Sequence, residues 1–224
     1  MNRKSMMAAS LATVLLMIVV AARVAMSLSG NVPLPTHWDI HGQPNSFADK
    51  WTALLLPVLI AGGTSLILYI LPAIEPRKSH LRRSQGLYVW TWASMLLVSI
   101  AVQLAVISAA LHWGVHATSF VLGGVGAMFA MMGNHFGKSR SMYFIGIRTP
   151  WTLSNEEVWI KTHRLAGKLL VAGGLMIVAG AFLPLPVGLI ITLMLAVSVI
   201  AVVVPIGYSY LLWRQERNHT SVRL

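Results

Sequence analysis

The sequence predicts an all-α, polytopic membrane helical bundle with six transmembrane helices and both termini in the cytoplasm. Three observations carry that prediction: composition, six apolar runs of spanning length, and a one-sided distribution of cations. Of the 224 residues, 56% are hydrophobic and 10% are charged, and mean hydropathy is +0.71. A soluble domain carries about 25% charged residues. Cysteine is absent, which removes disulfides and thiolate metal sites from consideration.

A hydrocarbon core about 30 Å thick needs about 20 apolar residues in helical form. Six stretches meet that length, at roughly 6–28, 52–73, 87–111, 118–134, 166–183 and 187–211. The first follows Arg3 and Lys4 as a signal peptide would. Its apolar run is long and lacks a clean small-x-small cleavage site before Gly30, so it is expected to be a retained helix. The fifth and sixth are divided by Leu183-Pro184-Leu185-Pro186, where two prolines end one helix and start the next. Pro57 and Pro205 fall inside spans, where they are expected to kink them. Small residues repeat on the fifth helix (Ala166, Gly173, Gly180) and on the fourth (Gly123, Ala127, Ala130, Asn134), a pattern of close helix packing.

The formal net charge of +11 reports topology. Arg3 and Lys4 precede the first span. Arg77, Lys78, Arg82 and Arg83 fill the second connection. Lys138, Arg140, Arg148, Lys161, Arg164 and Lys168 fill the fourth, and Arg214, Arg217 and Arg223 the tail. These are 15 of the 17 Lys and Arg. The other three connections hold only Lys50, and Arg23 snorkels from the outer end of the first span. The positive-inside rule then places the termini and the second and fourth connections in the cytoplasm. Anionic lipid headgroups satisfy such charges, and no soluble module for direct nucleic-acid binding is present. The chain divides into an N-terminal two-helix unit, 1–74, with an extracytoplasmic loop 29–51, and a four-helix unit, 75–224, with a cytoplasmic loop 135–166.

Loop 29–51 is long, and Pro33, Pro35, Pro44 and Gly42 punctuate it. Trp38, Phe47 and Trp51 can anchor it at headgroup level, so an ordered cap is expected. His37, Asp39 and His41 alternate within it. His112 and His116 lie on the same side, four apart, as a pair sharing one helical face would. These are zinc-type ligands, but a zinc site needs three or four convergent ones. The plainer reading is interfacial histidines bonded to backbone or water, and no cofactor is expected.

On the inner side, Ser154-Asn155-Glu156-Glu157 has capping-box spacing, with Ser154 as cap and a helix from about Asn155 running into the fifth span. The preceding 137–151 segment mixes aromatics, β-branched residues and arginines, suited to the membrane interface. Glu156 and His163, seven apart on that helix, are a conceivable acid–base pair. Neither His-Glu-x-x-His nor Gly-x-Ser-x-Gly occurs, so no enzyme is expected. A small transporter or channel is the alternative class. It needs a polar group at midplane, for which Gln103 is the clearest candidate.

The inner loop resembles the SdpI family of bacterial membrane proteins. The resemblance rests on Gly133-Asn134, Gly137-Lys138, Gly146-Ile147-Arg148-Thr149-Pro150-Trp151-Thr152-Leu153-Ser154, Trp159, Lys161-Thr162-His163-Arg164 and Gly167-Lys168. The first loop, through Pro35-Thr36-His37-Trp38-Asp39, Gly42, Pro44 and Lys50, is similar to a domain of unknown function often found N-terminal to that family. Ser141 and Ala166 depart from the asparagine and glycine common there. The resemblance implies a cell-membrane protein giving immunity to a secreted, membrane-active peptide toxin and holding a soluble transcriptional repressor at the membrane. The expected inner partner-binding array is Arg148, Thr149, Pro150, Trp151, Trp159, Thr162, His163 and Arg164. The expected outer sensing residues are His37, Trp38, Asp39, Gly42 and Lys50.

Overall fold

The computed structural model describes residues 3–221. Arg223, counted above with the tail, lies outside the described residues. The elements are α1 (Arg3–Ser27), β1 (Pro33–Trp38), β2 (Pro44–Asp49), α2 (Lys50–Ile74), α3 (Lys78–Arg83), α4 (Gln85–Ala110), α5 (Ala117–Phe136), α6 (Pro150–Ser154), α7 (Glu156–Phe182) and α8 (Val187–Ser221). Six of the helices are long and apolar enough to cross a membrane. The expected six-helix bundle is thus present, with two short helices and a hairpin added at its ends.

Helix α4 is the central post. It packs against α1 and α2 on one side and against α5 on the other, while α7 packs between α5 and α8. Polar side chains inside the bundle are spent on these joints. The Trp92 indole N–H donates to Ser10 Oγ (2.8 Å) and Ser65 Oγ (3.2 Å), joining α4, α1 and α2. The Gln103 amide donates to the carbonyls of Met17 (3.0 Å) and Leu54 (3.3 Å), joining the same three helices one level away. A buried donor left unpaired costs about 1–3 kcal/mol, so these bonds fix the packing register. Gln103 therefore serves packing, which removes the feature that motivated a transport reading.

Glycine sets the α5–α7 approach. A Cβ added at Gly133 would lie 2.7 Å from the Gly167 carbonyl oxygen, and one at Gly126 would lie 2.8 Å from that of Gly174. The expected Ala166–Gly173–Gly180 stripe is offset by one residue from this contact. Gly173 and Gly180 instead face Val197 and Ile190 of α8. One helix thus carries two small-residue faces, for two neighbours.

The cation-bearing segments meet at one end of the bundle. Arg3 lies over the Tyr69 ring, 4.5 Å from its centroid. The Arg140 amide donates to Ser84 Oγ (2.8 Å), and Asn155 bonds Glu216 of α8. The opposite end carries the antiparallel β1–β2 hairpin, with Pro33 opposite Asp49 and Trp38 opposite Pro44. The loop is ordered as expected, and its order is that of a two-stranded ribbon. Its prolines fit because a two-stranded ribbon consists of edges, where missing N–H donors are tolerated.

Candidate functional site

The inner segment between α5 and α7 is built around a carboxylate that sequence reasoning passed over. Glu75 caps the end of α2 and is fully buried. Its carboxylate accepts from the backbone N–H groups of Arg77 (3.0 Å), Tyr143 (3.1 Å) and Phe144 (3.2 Å). The loop is therefore tied by its own amides to the α2–α3 connection. Beside it, the Arg77 guanidinium donates to Ser141 Oγ and to the Leu153 carbonyl (3.0 Å), and lies 4.9 Å from the Tyr143 ring centroid. The Ser141 hydroxyl donates to Glu156 Oε2 (2.9 Å), and His80 Nδ1 donates to the Ser141 carbonyl (2.8 Å). The available signal was composition: Glu75 is the single acid in the strongly basic second connection.

A second, drier lock lies against α7. The His163 ring stacks on Trp159 at 3.9 Å between centroids, and both side chains are fully buried. The Ile147 N–H donates to His163 Nε2 (2.8 Å), and His163 Nδ1 faces the Trp159 carbonyl (2.8 Å). Those partners assign the neutral Nδ1–H tautomer, because Nε2 must accept. The Trp159 indole N–H donates to Ser139 Oγ (3.1 Å). Gly146 makes the fit possible. Its φ is +127°, and a Cβ there would lie 2.6 Å from both His163 Nε2 and the Trp159 ring. Only glycine combines that backbone with that approach.

The helix starts differ from the expectation in one detail. Thr149-Pro150 opens α6 with its own capping box, Thr149 Oγ1 accepting from the Thr152 N–H (3.2 Å) and Thr152 Oγ1 from the Thr149 N–H (2.9 Å). Ser154 is thereby the last residue of a helical turn and is not the cap of α7. Asn155 breaks the chain and takes that role, accepting from the N–H groups of Glu157 (2.8 Å) and Val158 (3.1 Å). From Glu156 onward α7 runs unbroken to Phe182, as expected.

The eight expected inner residues do not form one surface. Trp159, Thr162 and His163 are fully buried and Thr149 nearly so. Arg148, Pro150 and Arg164 are exposed. The Arg148 guanidinium donates to the Tyr143 carbonyl. Trp151 leans onto α8, where its indole N–H donates to Ser209, with Tyr210 and Trp213 rings 5.5 and 6.2 Å away. Arg164 sits with its Cα against Gly137 of the α5 end. Glu156 and His163 are not an acid–base pair: the carboxylate turns to Ser141, His80 and Arg140, while the imidazole faces Trp159 and Ile147.

At the hairpin end, Asp39 forms an Asx turn. Its Oδ1 accepts from the N–H groups of His41 (2.8 Å) and Gln43 (2.9 Å). These bonds, led by that from Gln43, hold its carboxyl below the ordinary value of 3.8. Gly42, at φ +78°, completes the turn. His37 Nδ1 meets Asn45 Oδ1 across the strands (2.6 Å), Trp38 packs on the bundle, and Lys50 Nζ donates to the Leu28 carbonyl (2.8 Å). His112 and His116 lie on the α4–α5 turn, not on a shared helical face. His112 has φ +52° and His116 caps α5. Among the described residues no three His, Asp or Glu side chains gather as a metal-binding group.

Fold and site define a polytopic integral membrane protein whose inner segment is locked onto its helices. Residues 138–209 match the SdpI/YfhL protein family, and residues 12–61 match a domain of unknown function, DUF1648. The two matches lie in sequence, the DUF1648 match preceding the SdpI/YfhL match. The chain is 26% identical to Immunity protein SdpI of Bacillus subtilis (strain 168), over 66% of this chain and 69% of that protein. No solved structure matches.

Proposed function

We propose that the protein is a toxin-immunity protein of the bacterial cell membrane, with both termini and the basic end in the cytoplasm. The hairpin meets a secreted membrane-active peptide outside, and the inner segment engages a soluble repressor inside. The likeness to Immunity protein SdpI supports the class, and the cation distribution supports the orientation.

The observation that carries the reading is the reach of α8. At its first residues, a Cβ added at Gly42 would lie 3.3 Å from the Val187 side chain, and one at Gly188 would lie 3.3 Å from the Ile40 carbonyl oxygen. At its far end, Ser209, Tyr210 and Trp213 hold Trp151 of the inner segment. One continuous helix thus touches both the hairpin turn and the inner segment, and a displacement of the turn has a single element to act on.

The test is protection. A Bacillus subtilis strain lacking its own SdpI, expressing this chain and challenged with the toxin that SdpI resists, is expected to survive. Gly42→Val at the turn and Trp151→Ala at the inner segment are each expected to reduce survival at normal abundance. Toxin sensitivity equal to the empty strain, with the protein abundant in the membrane, sinks the immunity reading. Accessible-thiol labelling of Ser46→Cys from outside, and of Ser154→Cys only after permeabilisation, checks the orientation.

A further inference from the structure

A cavity of about 670 Å³ opens between α5 and α7 at the basic end of the bundle. Its rim holds Lys138, Arg164 and Lys168, and its wall continues along α7 as Val171, Ala172 and Leu175. Glycines 133, 137 and 167 draw the two backbones together here. A Cβ at Gly137 would lie 2.9 Å from Arg164 Cα. The cavity is bounded by long basic side chains above and apolar ones below.

Other cations beside the cavity are already engaged. Lys161 is paired with Glu157 (2.6 Å), and Arg140 lies 3.8 Å from Glu156. Arg77 is used on Ser141 and Leu153. Among the described residues Lys138, Arg164 and Lys168 have no ion-pair partner. A second cavity, of about 400 Å³, flanks the other side of Arg164 and Lys168 toward Tyr208. No charged residue follows Lys168 before α7 ends at Phe182, so the rim lies where the apolar span begins. Leu175, at the far end of the wall, is 58% exposed on the outer surface of the bundle.

We propose that this cavity binds an anionic phospholipid, its phosphate on Lys138, Arg164 and Lys168 and an acyl chain along Val171, Ala172 and Leu175. Charge complementarity selects the headgroup. Cations without ion-pair partners, lining one cavity at the start of a span, attract anionic lipid. The apolar wall, open toward the bilayer, selects a lipid over a free anion, which has nothing to place there. This takes Arg164 out of the protein-binding array and gives it a lipid. The inference is independent of the immunity reading and survives its failure.

The purified full chain, in neutral detergent micelles doped with phosphatidylglycerol, is expected to unfold at a higher temperature than with the same fraction of phosphatidylcholine. The rise is expected to shrink with added salt. Lys138→Gln with Arg164→Gln and Lys168→Gln is expected to weaken the apparent phosphatidylglycerol affinity at least about tenfold. Lys78→Gln with Arg83→Gln, two exposed cations away from the cavity, is expected to leave it unchanged. Ala172→Trp keeps every charge but fills the wall, and is expected to weaken binding too, so the test stands even if the triple variant misfolds. Equal stabilisation by both lipids, or loss in the control pair as large as in the rim variant, overturns the proposal. So does an undiminished phosphatidylglycerol effect in Ala172→Trp and the rim variant. A shift reproduced by inorganic phosphate alone reassigns the rim to a soluble anion, and one produced only by polyglutamate reassigns it to an acidic protein surface.

Discussion

The hairpin at one end and the inner segment at the other are both long connections, yet they are held by opposite means. The hairpin satisfies itself. Asp39 bonds its own turn and His37 bonds Asn45, while the bundle is met through apolar contacts of Leu34 and Trp38, one bond from Lys50 to Leu28 and the turn's contact with α8. Phe47 and Ile40 remain exposed. The inner segment instead gives its backbone donors away to side chains of other elements: Tyr143 and Phe144 to Glu75, Ile147 to His163 and Arg140 to Ser84. A ribbon whose polar groups are satisfied within itself can loosen without stranding buried polar groups, although Leu34 holds it to the core by apolar contact. A segment whose amides end on buried side chains opens only by stranding polar groups. The hairpin is thus attached chiefly by apolar contact, and the inner segment by buried hydrogen bonds.

Breaking the inner segment gives the largest effects. Glu75→Ala strands the N–H groups of Arg77, Tyr143 and Phe144 in a buried site, and is expected to cost about 3 kcal/mol or more. Thermal unfolding in detergent reads it, together with protease cutting between 138 and 150. Glu75→Gln keeps an acceptor and is expected to cost less than half as much. Equal, small losses in both variants would mean that the carboxylate is not the anchor. Gly146→Ala comes next. The added Cβ meets both His163 and Trp159 at a backbone angle that alanine avoids, for an expected loss of about 2 kcal/mol. The same change at Gly62 of α2, where nothing lies within 4 Å, is expected to be neutral or mildly stabilising.

The two ends also differed in how far the sequence revealed them. The six spans and the continuous run of α7 were legible, because length, hydropathy and cation placement are bulk properties that a single chain displays directly. The capping signal at 154–157 was legible to within one residue. It missed because Thr149-Pro150 starts a competing helical turn that consumes Ser154. The inner array was legible as a set of residue types but not as a surface. Trp159 and His163 look like interfacial groups on the first turns of a helix. They are core residues because Gly146 lets the chain double back over them, a tertiary event with no local signature. Glu75 was missed for the converse reason. A lone acid among cations reads as a counter-charge, while its role depends on amides nearly seventy residues away. The strands were hidden by their prolines, which argue against regular pairing except in a ribbon with no inner strand.

Breaking the hairpin is expected to be milder and to separate function from stability. Lys50→Ala removes the bond to the Leu28 carbonyl and is expected to cost about 1 kcal/mol, visible as faster amide exchange in β1 and β2 but not in α7. Exchange rising equally at both ends would show that hairpin and inner segment unfold as one unit, against the contrast drawn here.

The smallest effect is also the one that tests the hairpin's self-sufficiency most directly. Asp39 is half-exposed, and its carboxyl is held below 3.8 chiefly by the Gln43 N–H, aided by that of His41. A carboxyl depressed by folding adds stability that is complete above its unfolded value and is lost as pH falls through the lower, folded value. Loosening of the turn is therefore expected only under acid, beginning near 3.8 and finishing below it. The amide resonances of His41 and Gln43 read it, and each is expected to titrate with a midpoint below the ordinary carboxyl value. Asp39→Asn keeps an oxygen that accepts the same two bonds, so it is expected to preserve the turn at neutral pH and to abolish that titration. A midpoint at or above 3.8, or a turn that collapses in Asp39→Asn at neutral pH, would show that the carboxylate is held by something beyond its own loop. The hairpin would then be wired to the bundle as firmly as the inner segment is.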